Sequence, residues 1–248
     1  MSNNFFIFRQ FTVHQQRCAM KVGTDGVLLG AWAEPNVGVD GRNARLAILD
    51  IGTGTGLIAL MLAQRFPNAI VDAIDLSSEA IVEARENVQA SPFRERVCVE
   101  ECAFQSYKPS KKYDLIVSNP PFFVDSLHTP DANRTMARHA DTLTYSDLFR
   151  GASRLLSDHG VFAAIIPSEN IEPFLSEACI SGFFVSRELR IRTTPKKPVR
   201  RLLMAFTPHA SENVEITDVC LTDGNGGRSL WYDCLTKDFY LPHPPPNR

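Results

Sequence analysis

No stretch of the chain approaches the roughly 20 uninterrupted apolar residues that a membrane-spanning helix requires. The opening residues, Met1-Ser2-Asn3-Asn4-Phe5, lack the basic region and apolar core of a secretory leader, and a cytoplasmic protein is expected. The six cysteines (Cys18, Cys98, Cys102, Cys179, Cys220 and Cys234) are scattered, with no CxxC pair and no histidine at zinc-ligand spacing. Neither a metal site nor a disulfide framework is expected, and the thiols read as reduced and mostly buried. Charge of one sign is not in surplus either: 26 Lys and Arg stand against 28 Asp and Glu, a formal net charge of -2. No global field draws the chain onto a polyanion, so any nucleic-acid contact must come from a local patch. With 248 residues, 44% hydrophobic and 22% charged, what remains is one ordinary globular domain with small additions.

What the chain does contain is an alternation of strand and helix patterns. Residues 46–51 form an apolar run that leads into Gly52-Thr53-Gly54-Thr55-Gly56 and then a helical pattern over 57–65. Pro67-Asn68 ends that helix, residues 69–74 read as a second buried strand closed by Asp75, and Ser77 caps a helix to about Ala90. Residues 97–101 and 113–118 are further strands, the latter stopped by two prolines that cannot continue a ladder. Beyond an irregular polar stretch, a helix near 145–156, a strand at 161–166, a helix after Ser168, and strands at 183–192 and 201–207 complete the pattern. It predicts an α/β fold: a doubly wound, seven-stranded, mostly parallel sheet with an antiparallel end. Residues 1–44 are expected to be a packed N-terminal extension, 45–240 the main domain, and the proline-rich 241–248 a disordered tail.

Ligands of open parallel sheets lie at the carboxyl ends of the strands, so residues 50–56, Asp75 and 119–122 should meet in one crevice. Gly52, Gly54 and Gly56 allow a tight turn against which a ligand can lie without an intervening Cβ. The third glycine falls one residue early for a dinucleotide fingerprint, which demotes a nicotinamide cofactor. Asp75, at the end of the next strand, is placed to accept hydrogen bonds from both hydroxyls of a ribose, and Asp50 joins the same ligand-binding set.

This glycine turn followed by an acid after the second strand resembles the cofactor site of the class I S-adenosylmethionine methyltransferases. The resemblance implies S-adenosyl-L-methionine as cofactor. In that family an acidic side chain after the third strand often meets the adenine; Ala103 holds its place here, leaving Phe104 to pack on the ring.

Asn119-Pro120-Pro121-Phe122 resembles the NPPF/NPPY signature of methyltransferases that act on planar nitrogen. An exocyclic amine delocalises its lone pair into the ring and is a poor nucleophile. Acceptors at the Asn119 side chain and the Pro120 carbonyl favour a pyramidal nitrogen as positive charge develops on it. Pro120 and Pro121 stiffen the turn, and Phe122 offers a face for a flipped base, a stacking worth ~1–3 kcal/mol. No low-pKa base is required, since the methylated nitrogen loses its proton after transfer.

The turn alone leaves several substrates open: adenine N6 in nucleic acid, guanine N2 in ribosomal RNA, or a protein glutamine amide. The run Cys18-Ala19-Met20-Lys21-Val22-Gly23-Thr24-Asp25-Gly26, extending to Trp32, resembles the bacterial valine tRNA adenine N6-methyltransferases, and the likeness spans about residues 6–240. That resemblance implies methylation of the adenine beside the anticodon of a tRNA; a monomer or weak dimer is expected, with neither metal nor membrane. It also implies that the N-terminal segment folds over the cofactor, with Lys21 near the methionine carboxylate and Thr24 or Asp25 at its amino-acid moiety. Phosphate contacts are expected from Lys196, Lys197, Arg200 and Arg201, near Arg190 and Arg192, and from Arg138 and His139 beside the substrate pocket. A noncatalytic RNA-binding module is the alternative from another class.

Overall fold

Ten strands and six α-helices run through the described residues of the computed structural model, which are 3–18, 20–36, 45–120 and 143–242. A short antiparallel hairpin, β1 (Phe5–Ile7) with β2 (Thr12–His14), and helix α1 (Thr24–Trp32) precede the main sheet. There β3 (Ala47–Ile51), α2 (Leu57–Arg65), β4 (Ile70–Asp75), α3 (Ser78–Gln89), β5 (Val97–Glu101) and β6 (Tyr113–Ser118) follow one another. Helix α4 (Tyr145–Leu155), β7 (Leu156–Pro167), α5 (Ile171–Ile180), β8 (Phe184–Arg192), β9 (Val199–Thr207), β10 (Glu215–Cys220) and α6 (Leu230–Thr236) complete the chain.

The eight-stranded sheet has the order β10-β8-β9-β7-β6-β3-β4-β5. All neighbours are parallel except β9, which runs against both β7 and β8. The chain steps outward from β3 to β4 and β5, then returns to the other flank of β3 to lay down β6. This reversal opens a crevice beyond the ends of β3 and β6. The central strands are buried on both faces, which is why their sequences read as near-continuous apolar runs.

Two apolar layers sandwich the sheet. On one face α1, α2 and α6 pack with Phe8, Phe11 and Val13 of the N-terminal segment. On the other, α4 and α5 bring Phe149 and Phe174 against Phe162 and Phe206, with the Phe149 ring edge-on to Phe162 at 5.2 Å and to Phe206 at 5.2 Å. Thr144 starts α4 with a capping box: its hydroxyl accepts the Asp147 N–H while the Asp147 carboxylate accepts the Thr144 N–H.

The seven expected strands appear as β3 to β9, and the sheet is larger by one. β10 adds parallel to the outer edge of β8; four of its six residues are exposed, so its sequence carries little apolar signal. The antiparallel strand is not terminal, because β9 inserts between β7 and β8. The thiols are less buried than expected: Cys98 on the edge strand β5, Cys179 on α5 and Cys234 on α6 are exposed. The tail from 243 onward lies outside the described residues. Among those residues no helix is long and apolar enough to cross a membrane, and no group of His, Cys, Asp and Glu could hold a metal ion.

Helix α4 reaches the segment after β5 through a close approach at Gly151, where an added Cβ would lie 2.2 Å from Cε1 of the buried Phe104 ring. Gly151→Ala is expected to destabilise the fold by about 1–3 kcal/mol through overpacking. Urea denaturation checks this, and an unchanged midpoint contradicts the packing described.

Candidate active site

A cavity of about 630 Å³ lies at the carboxyl ends of β3, β4 and β6. Its floor is the turn after β3. Gly52, Gly54 and Gly56 adopt left-handed φ of +69°, +56° and +82°, a conformation that side chains disfavour. The Gly52 and Thr53 N–H groups donate to the Ile74 carbonyl, pinning the turn to the end of β4. Gly52, Gly54 and Asp75 line the cavity; Gly56 does not, and instead turns the chain into α2.

Asp75 holds this geometry as well as facing the cavity. One carboxylate oxygen accepts the Gly54 N–H at 2.8 Å and the other accepts the Ser77 N–H at 2.9 Å. Each oxygen retains lone-pair capacity toward a ligand. Ser77 in turn caps α3, its hydroxyl accepting the Ala80 N–H.

Asp50, expected among the ligand-binding residues, is placed otherwise. It is fully buried beneath the turn and absent from the cavity wall. Its Oδ2 accepts the Thr53 hydroxyl at 2.6 Å and the Ala59 N–H at 3.1 Å, so it ties the turn to the first turn of α2, which has no side-chain cap of its own. A strand-end acid points into the cavity or beneath the turn according to strand register, which the sequence pattern did not resolve.

The remaining expected residues divide into three groups. Lys21, Thr24, Asp25, Phe104 and Asn119 all line the cavity. Asp25 is ion-paired with Arg201 at 2.7 Å, which brings the start of β9 beside the start of α1. Lys196, Lys197 and Arg200 are exposed around the turn between β8 and β9, at the same end of the sheet, while Arg190 and Arg192 are engaged by Glu188 and Asp218 at 2.6 Å each. Pro121, Phe122, Arg138 and His139 lie outside the described residues.

Asn119 sits where β6 ends. Ser118, fully buried, donates its hydroxyl to the Ile51 carbonyl at 3.1 Å, locking the ends of β6 and β3 together, and Pro120 is buried immediately after. The Asn119 side-chain oxygen is itself buried and has no hydrogen-bond partner among the described residues. A buried acceptor left unsatisfied on a cavity wall is a strong recognition element for a ligand N–H.

The N-terminal segment forms the opposite wall, through Cys18, Met20, Val22 and Gly23. Its attachments were not foreseen from sequence. Glu83 and Asn87 of α3, 2% and 0% exposed, bond to its backbone. The signal was two polar residues one turn apart on the face that buries Ala80, Ala84 and Val88.

A family profile described as Methyltransferase small domain matches residues 39–167. A protein from Parabacteroides distasonis named tRNA1(Val) (adenine(37)-N6)-methyltransferase is 45% identical over 243 residues, covering 97% of this chain and 99% of its own length. One of the same name from Trichodesmium erythraeum is 49% identical over 251 residues, with the same coverage. Among solved structures, one described as a predicted O-methyltransferase from Agrobacterium tumefaciens superposes with a TM-score of 0.64 at 18% identity, covering 87% of this chain and 96% of that one, a likeness of fold. A glycine turn, a strand-end carboxylate and an unpaired amide acceptor at a sheet's switch point, joined to that profile, define a methyltransferase of the small-domain class. Within it, the chain belongs to the tRNA1(Val) (adenine(37)-N6)-methyltransferase family.

Complete burial pushes the Asp50 carboxyl up to about 7 from its ordinary 3.8, with Asp75 nearby adding to the rise, while the bonds from Thr53 and Ala59 oppose it. Between about pH 4 and pH 7 the folded chain therefore holds a proton that the unfolded chain has released; this stability is complete at low pH and is lost as pH rises through 7. Against wild type, Asp50→Asn is expected to gain relative stability as pH is raised from about 4 to about 8. Denaturation midpoints across that range test this, and a constant difference contradicts it.

Proposed function

We propose that this chain transfers the methyl group of S-adenosyl-L-methionine to N6 of adenine 37 in tRNA1(Val). The observation that carries this reading is Asn119, which lines the cavity that holds the glycine turn and whose buried side-chain oxygen has no hydrogen-bond partner among the described residues. The relatives' names supply the substrate, and they do not favour the ribosomal guanine, protein glutamine or noncatalytic alternatives.

The donor set suits the cofactor. An added Cβ at Gly52 would meet nothing within 4 Å, so the turn presents bare backbone to a ligand. Asp75 accepts from the ribose hydroxyls. The N–H groups of Thr24, Asp25 and Gly26 open α1 without intrahelical partners and, with Lys21, suit a carboxylate. Ile51, Leu57 and Leu76 give apolar walls, while Phe104 and Gln105 border the end where Ala103 provides no acid. When bound, the cofactor supplies a methyl group on a positively charged sulfur.

The chain's own work falls to the corner after β6. Asn119 Oδ1 accepts one N–H of the target amine and the Pro120 carbonyl accepts the other, which withdraws the lone pair from the ring and favours a pyramidal nitrogen. Because Ser118 and Pro120 fix the corner, these acceptors need no rearrangement as positive charge grows on nitrogen. The proton leaves the methylated nitrogen afterwards, without a dedicated base. Phe122, three residues on, supplies the stacking face for the flipped adenine. Lys196, Lys197 and Arg200 meet the RNA backbone; Arg138 and His139 border the adenine.

Asn119→Ala is expected to lower tritiated methyl transfer to tRNA about 100- to 1,000-fold, the scale seen when one preorganised transition-state contact is removed, with cofactor affinity by calorimetry nearly unchanged. Retained turnover refutes the role. Asp75→Ala is expected to act on binding, weakening cofactor affinity by about 1.5–3 kcal/mol in the same titration; unaltered affinity contradicts its assignment.

A further inference from the structure

The mechanism above uses no group on helix α3, yet that helix buries a carboxylate. Glu83 is 2% exposed and forms no ion pair among the described residues. Its oxygens instead collect three consecutive backbone donors: the N–H groups of Gln16 at 2.5 Å and Arg17 at 3.0 Å on Oε1, and of Cys18 at 2.9 Å on Oε2. Burying a carboxylate is costly unless such donors cover it, and here every one of the three comes from a single short segment.

One turn further along α3, Asn87 makes a second set of bonds. Its Oδ1 accepts the His14 N–H at 2.8 Å, and its Nδ2 donates to the carbonyls of His14 and of Thr55, both at 2.9 Å. Thr55 belongs to the glycine turn, so one helix face holds the N-terminal segment and the cavity floor in a fixed relation. Gln15 closes the loop from within, its Oε1 accepting the Val22 N–H at 2.7 Å. Between these anchors run Cys18, Met20, Lys21 and Val22, the residues that form the cavity wall. The wall comes close to the floor: a Cβ added at Gly54 would lie 3.3 Å from the Cys18 sulfur.

We infer that Glu83 is a positioning residue for cofactor binding: by gathering the N–H groups of residues 16–18 it fixes Cys18, Met20, Lys21, Val22 and Gly23 as a wall of the cofactor cavity. The inference rests on the functional reading above. Glu83 does not line the cofactor cavity, so its contribution lies in ground-state affinity for the cofactor rather than in the chemical step. If the anchor is loosened, the three N–H groups can turn to water and the fold persists, but the wall is no longer preformed and each binding event must order it.

The decisive comparison is Glu83→Gln, nearly isosteric, in which an amide NH2 replaces one acceptor and faces a backbone N–H. Calorimetric titration with S-adenosylmethionine and with its demethylated product is expected to show affinity weakened by about tenfold or more, the scale of one lost charge-assisted hydrogen bond. The KM for the cofactor rises to match, kcat at saturating cofactor stays within about threefold, and hydrogen exchange speeds up at the N–H groups of Gln16, Arg17, Cys18 and Val22. Glu83→Asp, which keeps the charge but draws back by one methylene, is expected to fall between the two, and is read in place of Glu83→Gln should that variant not fold. Unchanged cofactor affinity in a folded variant, or a fall in kcat with KM preserved, overturns the inference while leaving the functional reading intact. Wild-type protein that binds neither ligand overturns both.

Discussion

An amide oxygen withheld from water and from every described donor costs a fold about 1–3 kcal/mol, and Asn119 bears that penalty where β6 runs out. The surroundings explain how it persists. Ser118 is bonded to the end of β3 and Pro120 is buried, so the backbone on both sides of Asn119 is held in place. Because the strand order reverses between β3 and β6, this corner opens onto the same cavity as Gly52 and Asp75. A binding partner with an N–H to donate satisfies this acceptor, and that capacity is the origin of the chemistry proposed for the corner.

The rest of the cavity is held by buried polar groups rather than by packing alone. Asp50 joins the turn to α2 from below, Asp75 ties it to the entry of α3, and Glu83 with Asn87 fasten the opposite wall. The bonds of Asp75, Glu83 and Asn87 run from a side chain on a strand or helix to the backbone of a loop. Loops are otherwise the part of a fold with the most conformational entropy to lose, and this arrangement shifts that loss from binding to folding. The ion pair of Asp25 with Arg201 extends the network to the strand that carries the basic turn.

The sequence revealed those features whose signal is local. Gly52 to Gly56, Asp75 and Asn119 could be located because turns, strand ends and proline stops are written in consecutive residues. The proximity of the N-terminal segment to the cavity followed from family resemblance alone, since nothing in residues 14–26 states which distant loop they cover. Asp50 and Asp75 look alike as strand-end acids, yet one lies beneath the floor and the other lines the cavity. Glu83 and Asn87 read as ordinary polar residues of a surface helix, and only their place on its buried face sets them apart. β10 escaped notice because an edge strand with four exposed residues has no need of an apolar pattern.

The most direct test of the central claim is to find where the methyl group arrives. A tRNA1(Val) transcript incubated with the protein and methyl-deuterated S-adenosylmethionine, then digested and sequenced by mass spectrometry, is expected to carry the label on the exocyclic nitrogen of adenine 37. Label on a guanine, on a ring nitrogen or on protein, or no transfer at all by the wild-type chain, would contradict the account.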